Sequence, residues 1–397
     1  MSKALDDVTV LDFSRMYAGP FCTMMLKDLG AEIIKVEIPG SGDGVRNLPP
    51  MTEGGEAYIF VNLNRGKKSI TLNLYTEQGR EIAREMVKKV DVLVENFTPD
   101  VMGRLGLGYE GLRQINPGLI YGSLSGFGHT GPYRSRPAFD TVAQAMGGLM
   151  STTGFADGPP IKTGPALADF ISAHFMTVSI LSALHYKDRT GKGQHIDISM
   201  QDCIWATTAI QFAPHYFLTG EAPQRLGNGQ IEVTPFNVYP ARDGNVVIAI
   251  VTVGHWQDFL RVIGREDLLE VEKYATQVDR INHRQEIDAL VEEWTRTRTV
   301  KEILDSLNQA HLPCSPVPTF DQVANDPQLI SRDMIIDVEQ LISGNLKVPG
   351  SVFKLSETPG DVKYPAPFLG EHSYQVFSEL LGYSEHQIKE LADNGII

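Results

Sequence analysis

Asp169 is the residue of this chain whose surroundings most strongly indicate chemistry. It stands in the segment 162–174, where most of its neighbours are small, apolar or glycine. A carboxylate without a partner is costly to bury, so an aspartate in this setting needs an explanation. The apolar residues that follow it recur at helical spacing, which places Asp169 in the first turn of an apolar helix. The local sequence favours a helix cap, and the alternative is a nucleophile or an acid–base group.

The elements that must position Asp169 alternate between strand and helix patterns. The predicted strands are residues 8–13, 31–37, 69–74, 92–95, 119–124 and 195–199. The predicted helices lie at 21–29, 77–90 and 200–218, besides the one that contains Asp169. This alternation indicates βαβ units and a mostly parallel sheet. Ligands of such sheets bind beyond the carboxyl ends of the strands, so the loops expected to carry chemistry are 15–20, 38–43, 96–98 and 126–131.

Composition excludes several classes of function. The 397 residues carry a net charge of −14, which argues against nucleic acid as a partner because phosphate binding needs a basic surface. The three cysteines are far apart, so we expect no disulfide framework and a reducing, cytoplasmic setting. The ten histidines show no zinc-binding spacing, so we expect no metal. No signal segment and no apolar run of membrane-spanning length are expected.

Familiar nucleotide and hydrolase motifs do not fit. The glycines of 40–44 follow a strand, but their spacing is not that of a dinucleotide-binding turn. The chain has no Walker phosphate loop and no G-x-S-x-G nucleophile elbow. Residues 220–234 are polar and contain glycine, which is typical of a linker, and a second unit with a strand at 245–250 begins near residue 235.

The loops and Asp169 together resemble the class III coenzyme A (CoA) transferases, of the formyl-CoA and carnitine CoA-transferase type, over essentially the whole chain. No single segment decides this, but their joint occurrence in one order is specific. The matching segments are Tyr17-Ala-Gly-Pro20, 29–37, Gly40-Ser-Gly-Asp43, Val94-Glu-Asn-Phe97, Asn116-Pro117, Ser125-Gly-Phe-Gly128, 140–144, Thr153-Gly154, Ala168-Asp169, 190–194, Met200-Gln-Asp202 and Leu369-Gly-Glu-His372.

The resemblance implies an α/β fold with a Rossmann-like parallel-sheet large domain and a smaller α+β domain. We expect the large domain at 1–219, with 326–397 returning to it, the linker at 220–234 and the small domain at 235–325. The family forms interlocked homodimers, and the long linker suits such a crossing. No permanent cofactor is implied, because CoA and acyl-CoA are substrates together with small carboxylates. No nucleic acid or membrane partner is expected.

The resemblance also assigns the chemistry. The aspartate at the position of Asp169 is the nucleophile in the family, and it forms an anhydride with the donor acyl group and then an aspartyl-CoA thioester. An anhydride keeps the acyl group activated. A helix N-terminus favours the ionised carboxylate, and nearby backbone N–H groups can stabilise the oxyanion.

CoA-binding positions carry over one by one. Arg104 is the most suggestive, since a guanidinium suits a phosphate; its alternative is a solvated helix charge. Ile38 and Tyr75 stand where the formyl-CoA type has arginine and lysine, so another basic residue must compensate. Its candidates are Arg15, Arg46, Lys67 and Lys68. The positions that fall where the family contacts CoA are Tyr17, Ala18, Leu72, Tyr75, Asn96, Phe97, Thr98, Arg104, Arg136 and Phe139.

Three residues are candidates for contact with the acyl group, namely Tyr17, Asp140 and His255. Tyr17 replaces a glutamine of the formyl-CoA type. The glycine-rich flap of the formyl-CoA:oxalate enzymes is missing, and residues 250–256 take its place. This difference disfavours oxalate and favours a larger carboxylate, such as a dicarboxylate with succinyl-CoA as donor. His255 either faces the acyl group or caps a surface turn.

Two other functions remain open. The related α-methylacyl-CoA racemases have a His-Asp pair where this chain has Phe139 and Asp140. A two-base racemase needs both bases near the α carbon, so the phenylalanine argues against that activity, although Asp140 could serve as a second base. The remaining alternative is a non-catalytic acyl-CoA binding protein, and the intact Asp169 argues against it.

Overall fold

The computed structural model describes residues 3–397, which form two compact units. The first unit contains the residues up to Leu149, Lys162–Pro214 and Pro327–Ile397, and the second contains Met150–Ile161 and His215–Asp326. The predicted domain division at residues 219, 235 and 325 stays a prediction.

A six-stranded parallel sheet forms the centre of the first unit. The strand order is β3-β2-β1-β4-β5-β6, and every neighbouring pair is parallel. The runs of Val, Ile and Leu in the inner strands are buried, as a sheet covered on both faces requires. This confirms the predicted Rossmann-like sheet. The strands are β1 Thr9–Asp12, β2 Glu32–Glu37, β3 Lys68–Thr71, β4 Val92–Glu95, β5 Ile120–Ser125 and β6 His195–Ser199.

Helices cover both faces of this sheet. One face packs against helices α1 and α8 in one apolar cluster, and the other packs against α3 and the C-terminal helices. The helices between residues 18 and 219 are α1 Ala18–Asp28, α2 Tyr58–Asn64, α3 Glu77–Val87, α4 Val101–Arg104, α5 Tyr109–Ile115, α6 Asp140–Met146, α7 Leu149–Thr152, α8 Leu167–Thr190 and α9 Met200–Thr219.

Helix α8 is long and apolar enough to cross a membrane by length and composition, and 18 consecutive residues of it have a mean hydropathy of 1.5. The expectation that no run reaches this length is therefore wrong. The helix contacts α1, α6, β5 and β6, and residues such as Ala173, Met176 and Ile180 are buried in the apolar cluster beside the sheet. The apolar residues on the buried side of α8 are therefore explained by their place in the core of the first unit.

The second unit has its own antiparallel sheet and its own core. Strand β8 lies between β7 and β9, and the core contains Tyr239, Trp256, Phe259 and Trp294. Its strands are β7 Phe236–Pro240, β8 Asn245–Ala249 and β9 Cys314–Pro316. Its helices are α10 Val253–Ile263, α11 Gln277–Asn282, α12 Arg284–Arg296, α13 Val300–Gln309 and α14 Phe320–Val323.

Residues from Pro327 onward belong to the first unit. A hairpin and two helices pack there, and Val376 and Phe377 join the apolar cluster on one face of the parallel sheet. The backbone N–H of Asn73 donates to the carbonyl of Ile396 at 2.8 Å. The elements are α15 Pro327–Ser331, β10 Ile335–Gln340, β11 Gly344–Pro349, α16 Ser373–Leu381 and α17 Glu385–Asp393.

Candidate active site

Asp169 opens into a cavity of about 480 Å³ at the carboxyl ends of β1, β4 and β5. This is the position at which parallel α/β sheets bind ligands. We call it the nucleophile cavity. Among its lining residues are seven that the sequence analysis selected, namely Tyr17, Ala18, Asn96, Phe97, Thr98, Phe139 and Asp140.

Asp169 is not the cap of its helix. Helix α8 begins at Leu167, and its N-cap residue is Ala166, whose side chain makes no capping hydrogen bond. The cap alternative is therefore wrong, and Asp169 lies within the first turn as expected. Among the described residues, no donor forms a hydrogen bond with its carboxylate. Burial, and secondarily the charge of Asp140, raise the pKa of Asp169 to about 7.

Asp140 supplies the cap that α8 lacks. Its Oδ1 accepts a hydrogen bond from the backbone N–H of Ala168 at 2.8 Å, and its Oδ2 accepts one from Gln144 Nε2 at 2.8 Å. Gln144 Oε1 in turn accepts from the backbone N–H of Thr163. An anion at a helix N-terminus is favourable. Asp140, the first residue of α6, provides such an anion at the N-terminus of α8. Asp140 thereby holds the turn that carries Asp169.

The loop after β1 is held by a buried ion pair. Lys35 Nζ donates to Asp43 Oδ2 at 2.9 Å and to the carbonyl of Ser14 at 3.0 Å, and Lys35 and Asp43 are both buried. Asp43 also accepts the backbone N–H of Met16, which has a left-handed φ of 65°. Strained backbone of this kind persists where surrounding contacts fix it. The result is a rigid loop that presents Tyr17 to the nucleophile cavity.

Tyr17 lies close enough to Asp169 for the two groups to interact. Burial and then the charge of Asp169 raise the pKa of Tyr17. Its ring packs edge-on against Phe170 at a centroid distance of 6.5 Å. Tyr17 therefore combines a hydroxyl near the carboxylate with an aromatic wall beside it.

The loop after β4 is tied to the loop after β1. The amide of Asn96 forms two hydrogen bonds of 2.8 Å with the backbone N–H and carbonyl of Arg15. The Arg15 guanidinium lies 5.0 Å from the centre of the Phe97 ring, a cation–π distance. Glu95, at the end of β4, accepts the backbone N–H of Phe97 at 2.8 Å. The two loops thus form one connected rim.

A second cavity of about 390 Å³ shares Arg15 and Phe97 with the nucleophile cavity. Leu72, Tyr75 and Arg104 line it, and we call it the Arg104 cavity. Leu72 is buried, whereas the Tyr75 side chain is 78% exposed. The structure thus brings most of the predicted CoA positions to two cavities with a common wall.

Two predicted residues lie elsewhere. Arg136 is exposed and stacks over the Tyr133 ring at 3.9 Å, and it lines neither of the two cavities. His255 belongs to the second unit, in the first turn of α10, where its backbone N–H donates to Thr252 Oγ1. The roles of Arg136 and His255 stay predictions.

Of the four basic residues that could compensate for Ile38 and Tyr75, the structure leaves one at the cavities. Lys67 is fully buried and donates to Asp12, Thr23 and Asn64, so it cannot reach a phosphate in this fold. Arg46 forms a two-pronged pair with Glu37, and Lys68 pairs with Glu32. Arg15 lines both cavities.

The neighbours Glu95 and Gln144 were not selected from the sequence as site residues. Glu95 belongs to the segment 94–97 that resembles the family, and this membership was the only indication in the sequence that it lies at the site. Gln144 stood at the end of the matched segment 140–144, four residues after Asp140 in a helical position, which was the signal for its contact with that residue.

Comparison with known proteins agrees with this geometry. The sequence profile of CoA-transferase family III matches residues 5–373. The chain is 40% identical to succinyl-CoA:mesaconate CoA-transferase of Haloarcula marismortui over 385 residues, 95% of this chain and 96% of that protein. It is 37% identical to succinyl-CoA–D-citramalate CoA-transferase of Chloroflexus aurantiacus over 396 residues, 100% of this chain and 98% of that protein.

A solved structure is similar as well. The crystal structure of a CAIB/BAIF family protein from Brucella suis matches with a TM-score of 0.83 and 36% identity, over 96% of this chain and all of that one. The sequence match and the structural match both extend over nearly the whole chain. This chain belongs to CoA-transferase family III and is a CoA-transferase.

Proposed function

We propose that the protein moves CoA from an acyl-CoA donor to a free carboxylate, with Asp169 as the covalent nucleophile. The observation that carries this proposal is the Asp169 carboxylate, which opens into the nucleophile cavity and makes no hydrogen bond with any described residue. A partly buried carboxylate without hydrogen-bond partners is a stronger nucleophile than one that is fully hydrated or paired.

The proposed transfer has four steps. Asp169 attacks the thioester carbonyl carbon, the C–S bond breaks, and CoA thiolate leaves a mixed anhydride. The thiolate then attacks the Asp169 carboxyl carbon, releasing the donor acid and leaving an aspartyl-CoA thioester. The acceptor carboxylate attacks this thioester and expels the thiolate, which forms a second anhydride. The thiolate finally attacks the acceptor's acyl carbon and restores the Asp169 carboxylate.

CoA is proposed to occupy the two cavities that share Arg15 and Phe97. The thioester end lies in the nucleophile cavity near Asp169, and the phosphate-bearing end lies in the Arg104 cavity. Arg15 and Arg104 are both lining residues there, and guanidinium groups suit phosphates. Arg15 takes over the role that the arginine at the position of Ile38 has in the formyl-CoA type. The other predicted CoA positions, including Arg136, keep their proposed roles.

For the acyl groups we propose small dicarboxylates, with succinyl-CoA as a donor. The two relatives named above use succinyl-CoA by their names. The chain also lacks the glycine-rich flap expected of an oxalate enzyme. His255 is proposed to face the acyl group. A donor-by-acceptor panel that includes oxalate tests the choice of acids.

The proposed assembly is an interlocked homodimer in the cytoplasm. Helix α8 has an apolar exposed side as well as a buried one, and Val178 is 61% exposed on it. In the first unit, α9 likewise exposes Trp205 and Ile210. Extended apolar surface of this kind marks a protein interface. Light scattering that finds a monomer at micromolar concentration would contradict the assembly.

The racemase alternative is less well supported. Both oxygens of Asp140, the residue that could serve as a second base, accept hydrogen bonds from Ala168 and Gln144. These two bonds fix the Asp140 carboxylate against Gln144 and the first turn of α8, whereas a second base must be directed at the α carbon. Phe139, in the place of the racemase histidine, has no basic group.

The deciding experiment replaces Asp169 by asparagine. The variant should fold and bind CoA, but it should lose transfer almost entirely because an amide cannot form the anhydride. Wild-type protein incubated with an acyl-CoA and hydroxylamine should carry a hydroxamate on Asp169, detectable by mass spectrometry. Release of free CoA without acyl transfer serves as the hydrolysis control. Substantial transfer by the Asn variant would refute the assignment.

A further inference from the structure

A third cavity shares the lining residue Tyr17 with the nucleophile cavity. Its volume is about 510 Å³ and its lining is mostly apolar. Tyr17 lines both cavities, and Phe170, the residue after Asp169, lines this one. We call it the Arg65 cavity, after the one arginine among its lining residues.

Two polar atoms in the wall of the Arg65 cavity have no partner. Arg65 Nε and Asn62 Oδ1 are both buried and form no hydrogen bond with any described residue. Only 3% of the Arg65 side chain is exposed, and its Nη2 donates to both oxygens of Asp28. A buried donor or acceptor left unpaired destabilises the folded state. Such atoms therefore indicate a missing polar group.

The two unpaired atoms belong together. Asn62 and Arg65 are three residues apart at the end of α2, on one side of the helix, and both line the cavity. An asparagine amide can present either its oxygen or its nitrogen after a half turn. The pair therefore offers an N–H from Arg65 and an N–H from Asn62 to one acceptor group, which suits a carboxylate.

Three aromatic side chains next to Asp169 border the Arg65 cavity. Tyr17 and Phe170 contact each other edge-on, and Phe21 lies 4.8 Å from Phe170 between ring centroids. All three line the Arg65 cavity. An acyl chain attached at Asp169 that turns past the Tyr17 ring would therefore enter an apolar space with one cation in its wall.

Resting on the proposed function, we propose that the Arg65 cavity receives the far carboxylate of a dicarboxylic acyl group, with Arg65 and Asn62 as its partners. The methylene groups lie along Phe170 and Tyr17. Arg65 donates to Asp28 through Nη2 and to the ligand through Nε, the neighbouring nitrogen on the same edge of the guanidinium. These residues thereby set the preference for dicarboxylic over monocarboxylic acyl groups, and they take no part in the chemistry at Asp169.

The test compares succinyl-CoA with butyryl-CoA, whose acyl chains have four carbons and differ in the far carboxylate. The readout is the rate at which hydroxylamine converts acylated Asp169 to its hydroxamate. This assay contains no acceptor acid, so at a fixed hydroxylamine concentration the rate reports on the donor. In Asn62→Leu and Arg65→Lys, the succinyl/butyryl rate ratio should fall about ten- to hundredfold, the worth of a charge-assisted hydrogen bond. The lysine keeps the charge beside Asp28, which protects the fold.

Arg84→Lys is the matched control, because Arg84 lies on α3, pairs with Glu77 and lines neither the nucleophile nor the Arg65 cavity. Its ratio should equal that of the wild type. An unchanged ratio in both test variants would overturn the inference and leave the nucleophile assignment intact, whether both rates stay the same or both fall equally. A cavity that is filled by water or by a partner chain gives this result. Absence of hydroxamate in the wild type would instead refute the proposed function itself.

Discussion

Replacing Asp169 by asparagine should make the folded protein more stable while it removes the nucleophile. In the native structure, burial and the charge of Asp140 raise the pKa of Asp169 from 3.8 to about 7. The folded state therefore holds this proton more tightly than the unfolded chain does. It follows that the free energy of unfolding falls as pH rises from about 4 to about 7, because the folded protein must then carry a partly buried charge beside Asp140.

The magnitude follows from the same shift. A rise of about three pKa units corresponds to about 4 kcal/mol above pH 7, and to about 2 kcal/mol at pH 5. Because the Asp169 side chain is only partly buried, solvent screening reduces this cost. We therefore expect Asp169→Asn to gain about 3 kcal/mol at pH 8 and clearly less at pH 5. An active-site group that costs stability in this way is an instance of the trade-off between function and stability.

The assay is urea unfolding followed by circular dichroism at pH 5 and pH 8. Asp188→Asn is the control, since Asp188 lies on the same helix but is exposed; its effect should stay within about 0.5 kcal/mol. A loss of stability in Asp169→Asn at pH 8, or a gain that is equal at the two pH values, would refute the reasoning about burial and charge.

Four further outcomes are expected. The rate of acylation of Asp169 at low acyl-CoA concentration should rise as pH increases through about 7, because only the carboxylate attacks; a rate that is constant between pH 6 and 8 would contradict this. Arg15→Gln should weaken CoA binding about tenfold in calorimetry through the lost phosphate and Phe97 contacts, whereas Arg113→Gln, an exposed helix residue, should change it less than about twofold. Burial raises the pKa of Glu95 to about 7, so CoA affinity should increase as Glu95 ionises and accepts the Phe97 N–H more strongly, and Glu95→Gln should flatten this pH dependence. With 2-methylacyl-CoA in D2O, NMR should detect no α-proton exchange at a catalytic rate, because one nucleophile suffices for CoA transfer but proton exchange needs two bases. Rapid exchange without transfer to any carboxylate would favour the racemase alternative.

The parallel sheet could be predicted because its signals are local. Strand β4 at 92–95 and strand β6 at 195–199 have the bounds that the sequence predicted. The first is a short apolar run between polar residues, and the second alternates polar and apolar residues after a glycine-containing turn. The hairpin of β10 and β11 was missed. Its turn has no Asn-Gly or Asp-Gly pair, the signal that marks a tight hairpin, and its tip carries the apolar residues Leu341 and Ile342.

The site was predictable in its residue types but not in its contacts. Asp169 and Asp140 were both selected, yet the hydrogen bond from Ala168 to Asp140 joins residues 28 positions apart, and no local pattern encodes it. Lys67 shows the same limit. Its surroundings in sequence are basic and polar, which suggested a phosphate contact, but Asp12, 55 positions earlier, draws it into the core. Long-range pairing decides whether a charged residue is available to a ligand.

The division of the first unit along the chain has a consequence for how the protein is made. All six strands of the parallel sheet have been synthesised once β6 emerges. The hydrogen bonds from the Asn73 N–H to the Ile396 carbonyl and from the Gly66 N–H to the Pro365 carbonyl can form only later, when those residues have been made. The second unit, most of which lies between these parts, is synthesised in the interim and has its own core. Because domains tend to fold as they emerge from the ribosome, the second unit can finish before the first. The first unit closes last, and the part of one apolar sheet face that α16 and α17 cover stays exposed until those helices emerge.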